Sequence, residues 1–124
     1  MARIRLLIAL AAALVLCLSL TAAATASRKP TASERKAITA AARRAPHAGT
    51  GKVSVSRIRV STVGPWASAT LTLNVMGIDD NATDILHKVH GKWRSVSVGT
   101  AGEECVMPLK DRKNLGFQPG GLCH

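Results

Sequence analysis

The clearest alternation in the chain runs from Ala67 to Val75. Ala67, Ala69, Leu71, Leu73 and Val75 share one face of an extended chain, and Ser68, Thr70, Thr72 and Asn74 share the other. Period-two patterning of this kind predicts a strand with one face buried and one in water, opened here by Trp66. Upstream, Lys52 to Val60 also alternates, but its apolar positions change parity: Val53 and Val55 are odd, Ile58 and Val60 even. A one-residue slip would turn the second pair to the wrong face, so the change predicts a bulge or break near Ser56-Arg57. Gly64-Pro65 punctuates the chain between these strands. Downstream, Gly77 to Asp84 reads as a polar, turn-like link. Ala82 to His90 and Lys92 to Val98 then read as a hairpin whose tight turn is supplied by Gly91.

Helical spacing occurs in two places. Thr31 and Glu34 have the separation of a capping box and Pro46 bounds the far end, which predicts a helix over Ala32 to Ala45. Ile38, Ala41, Ala42 and Ala45 form its apolar stripe, with Arg35, Lys36, Thr39 and Arg43 away from it. A stripe with one large side chain lies flat on a neighbour and sustains no core alone. Pro108 and Gly116 bracket a second, short helix ending near Asn114. Ser27 to Pro30 reads as a mobile lead-in, His47 to Gly51 as a connector, and Phe117 to His124 as a Gly- and Pro-rich tail. The expected fold is α+β: an N-terminal helix on a four-stranded, mostly antiparallel sheet, with a short C-terminal helix tied by a disulfide.

The first 26 residues stand outside this pattern. Arg3 and Arg5 precede a run of Ala, Leu, Val and Ile from Leu6 to Leu20, and Ala24-Thr25-Ala26 offers small residues for cleavage, the order of a secretory signal peptide. The competing readings are an uncleaved anchor and lipidation at Cys17, where Leu16 occupies a position normally held by a small residue. Cleavage after Ala26 leaves residues 27–124 as a single secreted domain, extracellular or held at the cell envelope, with the mature protein not spanning the membrane.

Export changes the reading of the cysteines. Cys105 and Cys123 remain after cleavage, and in an oxidising compartment a disulfide between them is expected, contributing about 3 kcal/mol through the unfolded state. A metal pair or a catalytic thiol lacks partners at suitable spacing.

Charge changes the reading of function. The chain carries 17 Lys and Arg against 7 Asp and Glu, a net +10, and loss of Arg3 and Arg5 with the signal leaves +8. Arg35, Lys36, Arg43 and Arg44 are concentrated on the first helix, and Arg57, Arg59, Lys88, Lys92 and Arg94 add to them from the sheet. Together they supply the charge to attract an anionic envelope polymer or an acidic extracellular protein. Nucleic acid is disfavoured, because export removes the protein from it and Trp66 and Trp93 are needed as core anchors. The bland alternative is a charged surface that maintains solubility.

Other candidates for chemistry are weak. His87 and His90, three apart in a strand, point to opposite faces. His124 sits at the chain end. Asp79 to Asp84 begins like a calcium loop but has Asp84 at the glycine position and His90 where a bidentate Glu belongs. Glu103 and Glu104, adjacent in an extended chain, diverge and read as a solvated loop. No metalloprotease helix, nucleophile elbow, phosphate loop or Cys-His pairing occurs in the sequence, so neither a catalytic residue nor a cofactor or metal ligand is assigned.

The order Trp66-Ala67, Ile85-Leu86-His87-Lys88, Gly91-Lys92-Trp93-Arg94, Gly99-Thr100, Cys105 and Pro108 resembles that of small secreted actinobacterial proteins with a WA…vl…nGkW…G…C…P pattern. The likeness covers about Ser56 to Leu115, with His90 where Asn or Asp is commoner. It implies a curved sheet and helix like those of cystatin-like and NTF2-like rolls, and transfers no functional residue. Such folds host carriers, inhibitors and enzymes alike. The sequence therefore points to a non-enzymatic binding or interaction module. An inhibitor of a secreted hydrolase acting through the Gly64-Pro65-Trp66 and His90-Gly91 loops is the second reading, and a carrier or hydrolase with a pocket under the sheet is the third.

Overall fold

Helix α1 spans Ala32–Arg43 and begins where its capping box closes. The Thr31 hydroxyl accepts from the Glu34 amide at 3.2 Å, and the Glu34 carboxylate accepts from the Thr31 amide at 3.0 Å. Two of the helix's orphan amide donors are thereby satisfied. The computed structural model describes residues 26–45, 52–118 and 123, so the signal segment up to residue 25, the His47 to Gly51 connector and His124 lie outside the described residues. No helix among the described residues is long and apolar enough to cross a membrane.

Four strands, β1 (Val53–Val60), β2 (Trp66–Val75), β3 (Ile78–Val89) and β4 (Lys92–Gly99), form an antiparallel meander in the order β1-β2-β3-β4. The parity change in β1 is resolved by a bulge. Ser56 pairs with Thr70 and Arg59 with Ser68, so Arg57 and Ile58 together oppose Ala69, with Arg57 at φ 50°. The extra residue returns Ile58 and Val60 to the face already used by Val53 and Val55. Those side chains join Ala67, Ala69, Leu71 and Leu86 around Ile38, Ala41 and Ala42 of α1. Helix α1 packs on β3 and on both edge strands. Strands lie about 4.8 Å apart, so a helix can touch both edges only if the sheet curls around it.

The link expected over Gly77 to Asp84 is strand instead. Met76 and Gly77, at φ 54° and 81°, make a two-residue turn, and β3 starts at Ile78. Primed-turn geometry needs positive φ at both positions, which explains the tight reversal. This end of the hairpin is polar because it reaches into solvent, with Met76 97% and Ile78 72% exposed. Its cross-strand pairs are polar too: Thr72 donates to Asn81 and Asn74 to Asp79, each at 2.8 Å.

The C-terminal segment covers part of the other side of the sheet. A 3-10 turn, Glu103–Val106, packs on β3 and β4, and Ile85 and Met107 are buried outside the helix-side cluster. Helix α2, Leu109–Asn114, follows Pro108 and is tied to the β1–β2 loop. Ser61 donates to Asp111 at 2.8 Å, while the Asn114 side chain accepts from the Thr62 amide at 3.0 Å and donates to the Thr62 hydroxyl at 2.9 Å. A disulfide joins Cys105 to Cys123 across a Cα separation of 5.2 Å.

The lead-in expected to be mobile is docked. Arg28 exchanges two backbone hydrogen bonds with Val60 at 2.9 Å, the Ser27 amide donates to the Asn114 carbonyl at 3.1 Å, and Arg59 holds the Ser27 carbonyl at 2.6 Å. The Arg28 guanidinium grips Glu34 through both nitrogens at 2.6 and 2.8 Å. These residues form a strap over the Val60 end of the β1 edge.

Candidate functional site

The stripe of α1 that borders the core on the β4 side is small and flat. Ala37, Ala40 and Ala41 with Arg44 form one wall of a groove of about 500 Å³, and Gly91 to Arg94 of the β3–β4 hairpin form the other. A second hollow of about 260 Å³ borders the same Arg44, Trp93 and Arg94 and reaches Ala45 and Ser95. Trp93 is the common floor, half-buried against the helix-side core. Alanine makes this groove possible, since longer side chains at positions 37 and 40 would project across it.

Charge collects at the rim. Arg44, Lys92 and Arg94 line the groove, and Lys88, paired with Trp93 across the hairpin, places its ammonium 5.8 Å from the Trp93 ring centre. An ammonium at that distance over an indole face is attracted by the ring quadrupole. Neither hollow has a carboxylate, thiol or imidazole in its lining among the described residues. The chemistry available there is anion attraction and stacking.

Of the nine basic residues singled out from the sequence, four border this region: Arg44 and Lys88 on the α1 side, and Lys92 and Arg94, which pair with Val89 and His87 and so turn their side chains to the face away from α1. At about 100° per residue, Lys36 and Arg43 lie roughly a right angle from the groove stripe and Arg35 nearly opposite it. Arg57 and Arg59 sit on β1, at the far edge of the sheet from β4. Arg57 is exposed beside the bulge, and Arg59 is engaged with the strap through the Ser27 hydroxyl and carbonyl.

The histidines and tryptophans divide between the two faces. Trp66 stacks on His87, its cross-strand partner, with ring centres 4.1 Å apart and planes 11° from parallel, on the face away from α1. Trp66 is thus a half-buried stacking partner on the opposite face from the helix-side core it was expected to anchor. The Lys88 amide donates to the Pro65 carbonyl at 2.9 Å, which sets the Pro65-Trp66 corner beside the His90-Gly91 turn.

Sequence reasoning missed Asp84. It is fully buried on the α1 side of β3, accepts from the Ser95 hydroxyl at 2.5 Å through one oxygen and has no partner at the other among the described residues. Burial pushes its carboxyl up to about 6, the Ser95 hydrogen bond opposing the rise. Glu103, expected in solvent, is buried with one unpaired oxygen and lies close to Gly99. Glu104, Cys105 and Cys123 come together, but the disulfide occupies both sulfurs, so the trio offers no thiolate to a metal.

Comparison with known proteins finds no family model, no curated protein and no solved structure that matches the chain.

Proposed function

We propose that this protein is an exported, non-enzymatic binding module that holds an extended anionic ligand in the groove between α1 and β4. The observation that carries this reading is the presence of Arg44, Lys92 and Arg94 in the lining of a groove floored by Trp93. An alanine wall leaves room for a chain, the cations supply its counter-charges, and the indole offers an apolar surface to whatever lies between those charges. Anionic polymers of the cell envelope, rich in phosphate or carboxylate, have that chemistry.

The test uses residues 27–124 with Cys105 and Cys123 oxidised and Trp66→Phe to leave Trp93 as the reporter. Titration with polyphosphate and with polygalacturonate should change Trp93 emission at low salt, and the affinity should fall steeply as salt rises. No binding of either polymer at any salt overturns the reading.

A second reading is favoured by the 2.9 Å hydrogen bond from Lys88 to Pro65 and the Trp66–His87 stack, which bring two loops to one end of the sheet. In that reading the 61–66 loop and the His90-Gly91 turn form a composite edge that enters the cleft of a secreted hydrolase. Its complex should persist at high salt and weaken on Trp66→Ala.

A further inference from the structure

The two edges of the sheet are treated differently. At β1, the strap covers the Val60 end, where Arg28 pairs with Val60. At β4, the last strand in the order, the sheet ends without a fifth strand among the described residues. The His90-Gly91 turn is a two-residue loop flanked by the Val89–Lys92 pair. In such a hairpin the flanking pair exchanges backbone hydrogen bonds and the pattern alternates from there. Lys92 and Arg94 therefore bond to β3, and Trp93 and Ser95 turn their backbone N–H and C=O groups outward. Val96 is the extra residue of a bulge, since Leu86 pairs with Ser95 and Ile85 with Ser97, and it ends this open stretch.

The open stretch and the groove coincide. Trp93 and Arg94 line both hollows and Ser95 lines the second, so the outward backbone groups lie beside the space that the α1 alanines leave vacant. An extended peptide rises about 3.3 Å per residue, and three or four residues suffice to reach from Trp93 to Ser95.

From this juxtaposition we infer that the groove's ligand is an acidic segment of polypeptide, added as a short fifth strand on β4. The inference rests on the reading of the groove as an anion site and narrows it to peptide. The added strand bonds to the N–H and C=O of Trp93 and Ser95, and its side chains alternate between the α1 side, where Arg44 and Lys88 offer counter-charges, and the other face, where Lys92 and Arg94 do. Strand addition draws affinity from main-chain hydrogen bonds and specificity from side chains at alternate positions. Charge complementarity selects the occupant: cations at the rim of an unpaired edge repel a basic strand and leave a neutral one without its counter-charges.

The probe is a set of eight-residue peptides alternating Glu and Val, one unmodified and two N-methylated, each at one of the two alternate sets of amides. The unmodified peptide should bind the oxidised 27–124 chain and slow hydrogen exchange at the Trp93 and Ser95 amides, with Lys92 and Arg94 changed little. N-methylation of the set that faces β4 should weaken binding at least roughly tenfold, and methylation of the other set should have little effect. Ala37→Phe, which fills the groove without altering the edge, should abolish binding while the circular dichroism spectrum stays unchanged. Equal binding of all three peptides, or no protection at Trp93 and Ser95, overturns strand addition. If polyphosphate still binds in that case, the anion site stands and its ligand is a polymer without a peptide backbone. If neither polyphosphate nor peptide binds, both readings fall together.

Discussion

Ser95 donates its hydroxyl to Asp84 at 2.5 Å inside the layer between sheet and helix, leaving the second carboxylate oxygen of a fully buried aspartate without a partner among the described residues. Ser95 also borders the second hollow beside the groove, so the buried acid lies one side chain behind it. Ionised Asp84 is disfavoured in the folded chain, which raises its carboxyl from an ordinary value near 3.8 to about 6. The folded state then binds more protons than the unfolded state between those two values. Its advantage is full below about pH 4 and is lost as pH rises through 6, on the order of 2–3 kcal/mol. Chemical denaturation of Asp84→Asn beside the parent, from pH 4 to 7.5, should show the parent losing stability relative to the variant. Parallel curves would mean that Asp84 is solvated.

Gly64 is fixed by a different acid. A Cβ at residue 64 would collide with the Asp111 carboxylate oxygen that Ser61 holds, and Asp111 is fully buried, so it has little room to swing aside. Gly64→Ala should cost about 1–3 kcal/mol by overpacking. Combining it with Asp111→Ala should cost less than the sum of the two single changes, a coupling that a double-mutant cycle measures. Strict additivity would dissociate the glycine from the aspartate.

Legibility followed the range over which each feature is encoded. The β2 alternation, the parity change at Ser56-Arg57, the Thr31–Glu34 box, the Gly91 turn and the Cys105–Cys123 disulfide are local or pairwise signals, and the structure contains all of them. Asp84 was hidden because it follows Asp79, Asp80 and Asn81, and nothing in the run marks where β3 passes from solvent into the interior. The Ser27 to Pro30 segment reads as mobile from its composition, yet its partners Val60, Arg59 and Asn114 are distant in sequence. The groove needs α1 and β4 set side by side, so charges spread along the chain give no way to separate Arg44 and Arg94 from Arg57 and Arg59.

The strap supplies a third prediction. Removing residues 27–30, so that the chain starts at Thr31, deletes the Arg28–Val60 and Ser27–Asn114 backbone hydrogen bonds and the Arg59 contacts. The loss should be about 3–5 kcal/mol, at roughly 0.5–1 kcal/mol for each of the five hydrogen bonds. Arg28→Ala keeps the backbone bonds and loses the contact with Glu34, a pair whose Arg28 side chain is 45% exposed. Solvent screening limits that loss to under about 1 kcal/mol. Thermal melts of the two variants should therefore differ clearly. Equal melting temperatures would locate the strap's contribution in the ion pair.

Glu34 opposes Asp84 in its pH dependence. The Arg28 guanidinium, then the Thr31 amide, hold its carboxyl down to about 2. A depressed value means stability present above about pH 4.5 and lost as pH falls toward 2. Glu34→Gln should flatten the acid side of the stability profile and leave the shoulder between pH 4 and 6 in place, whereas Asp84→Asn should do the reverse. Both effects appearing in a single variant would show that the two carboxylates are coupled through the helix.

Charge reversal separates the groove from the general excess of positive charge. Arg44→Glu and Arg57→Glu change the net charge equally, but Arg44 lines the groove and Arg57 sits beside the β1 bulge at the other edge of the sheet. If net charge alone attracted the ligand, the two variants would lose affinity for polyphosphate alike, because a field summed over the whole surface does not distinguish them. If the ligand lies along α1 and β4, Arg44→Glu should weaken binding by roughly tenfold at low salt and reduce its salt dependence, while Arg57→Glu changes it by less than about twofold. Lys92→Glu should follow Arg44→Glu, and Trp93 emission should still report the residual binding. An Arg57→Glu effect as large as that of Arg44→Glu would move the site off the groove, and a null effect in all three would remove the electrostatic basis of binding.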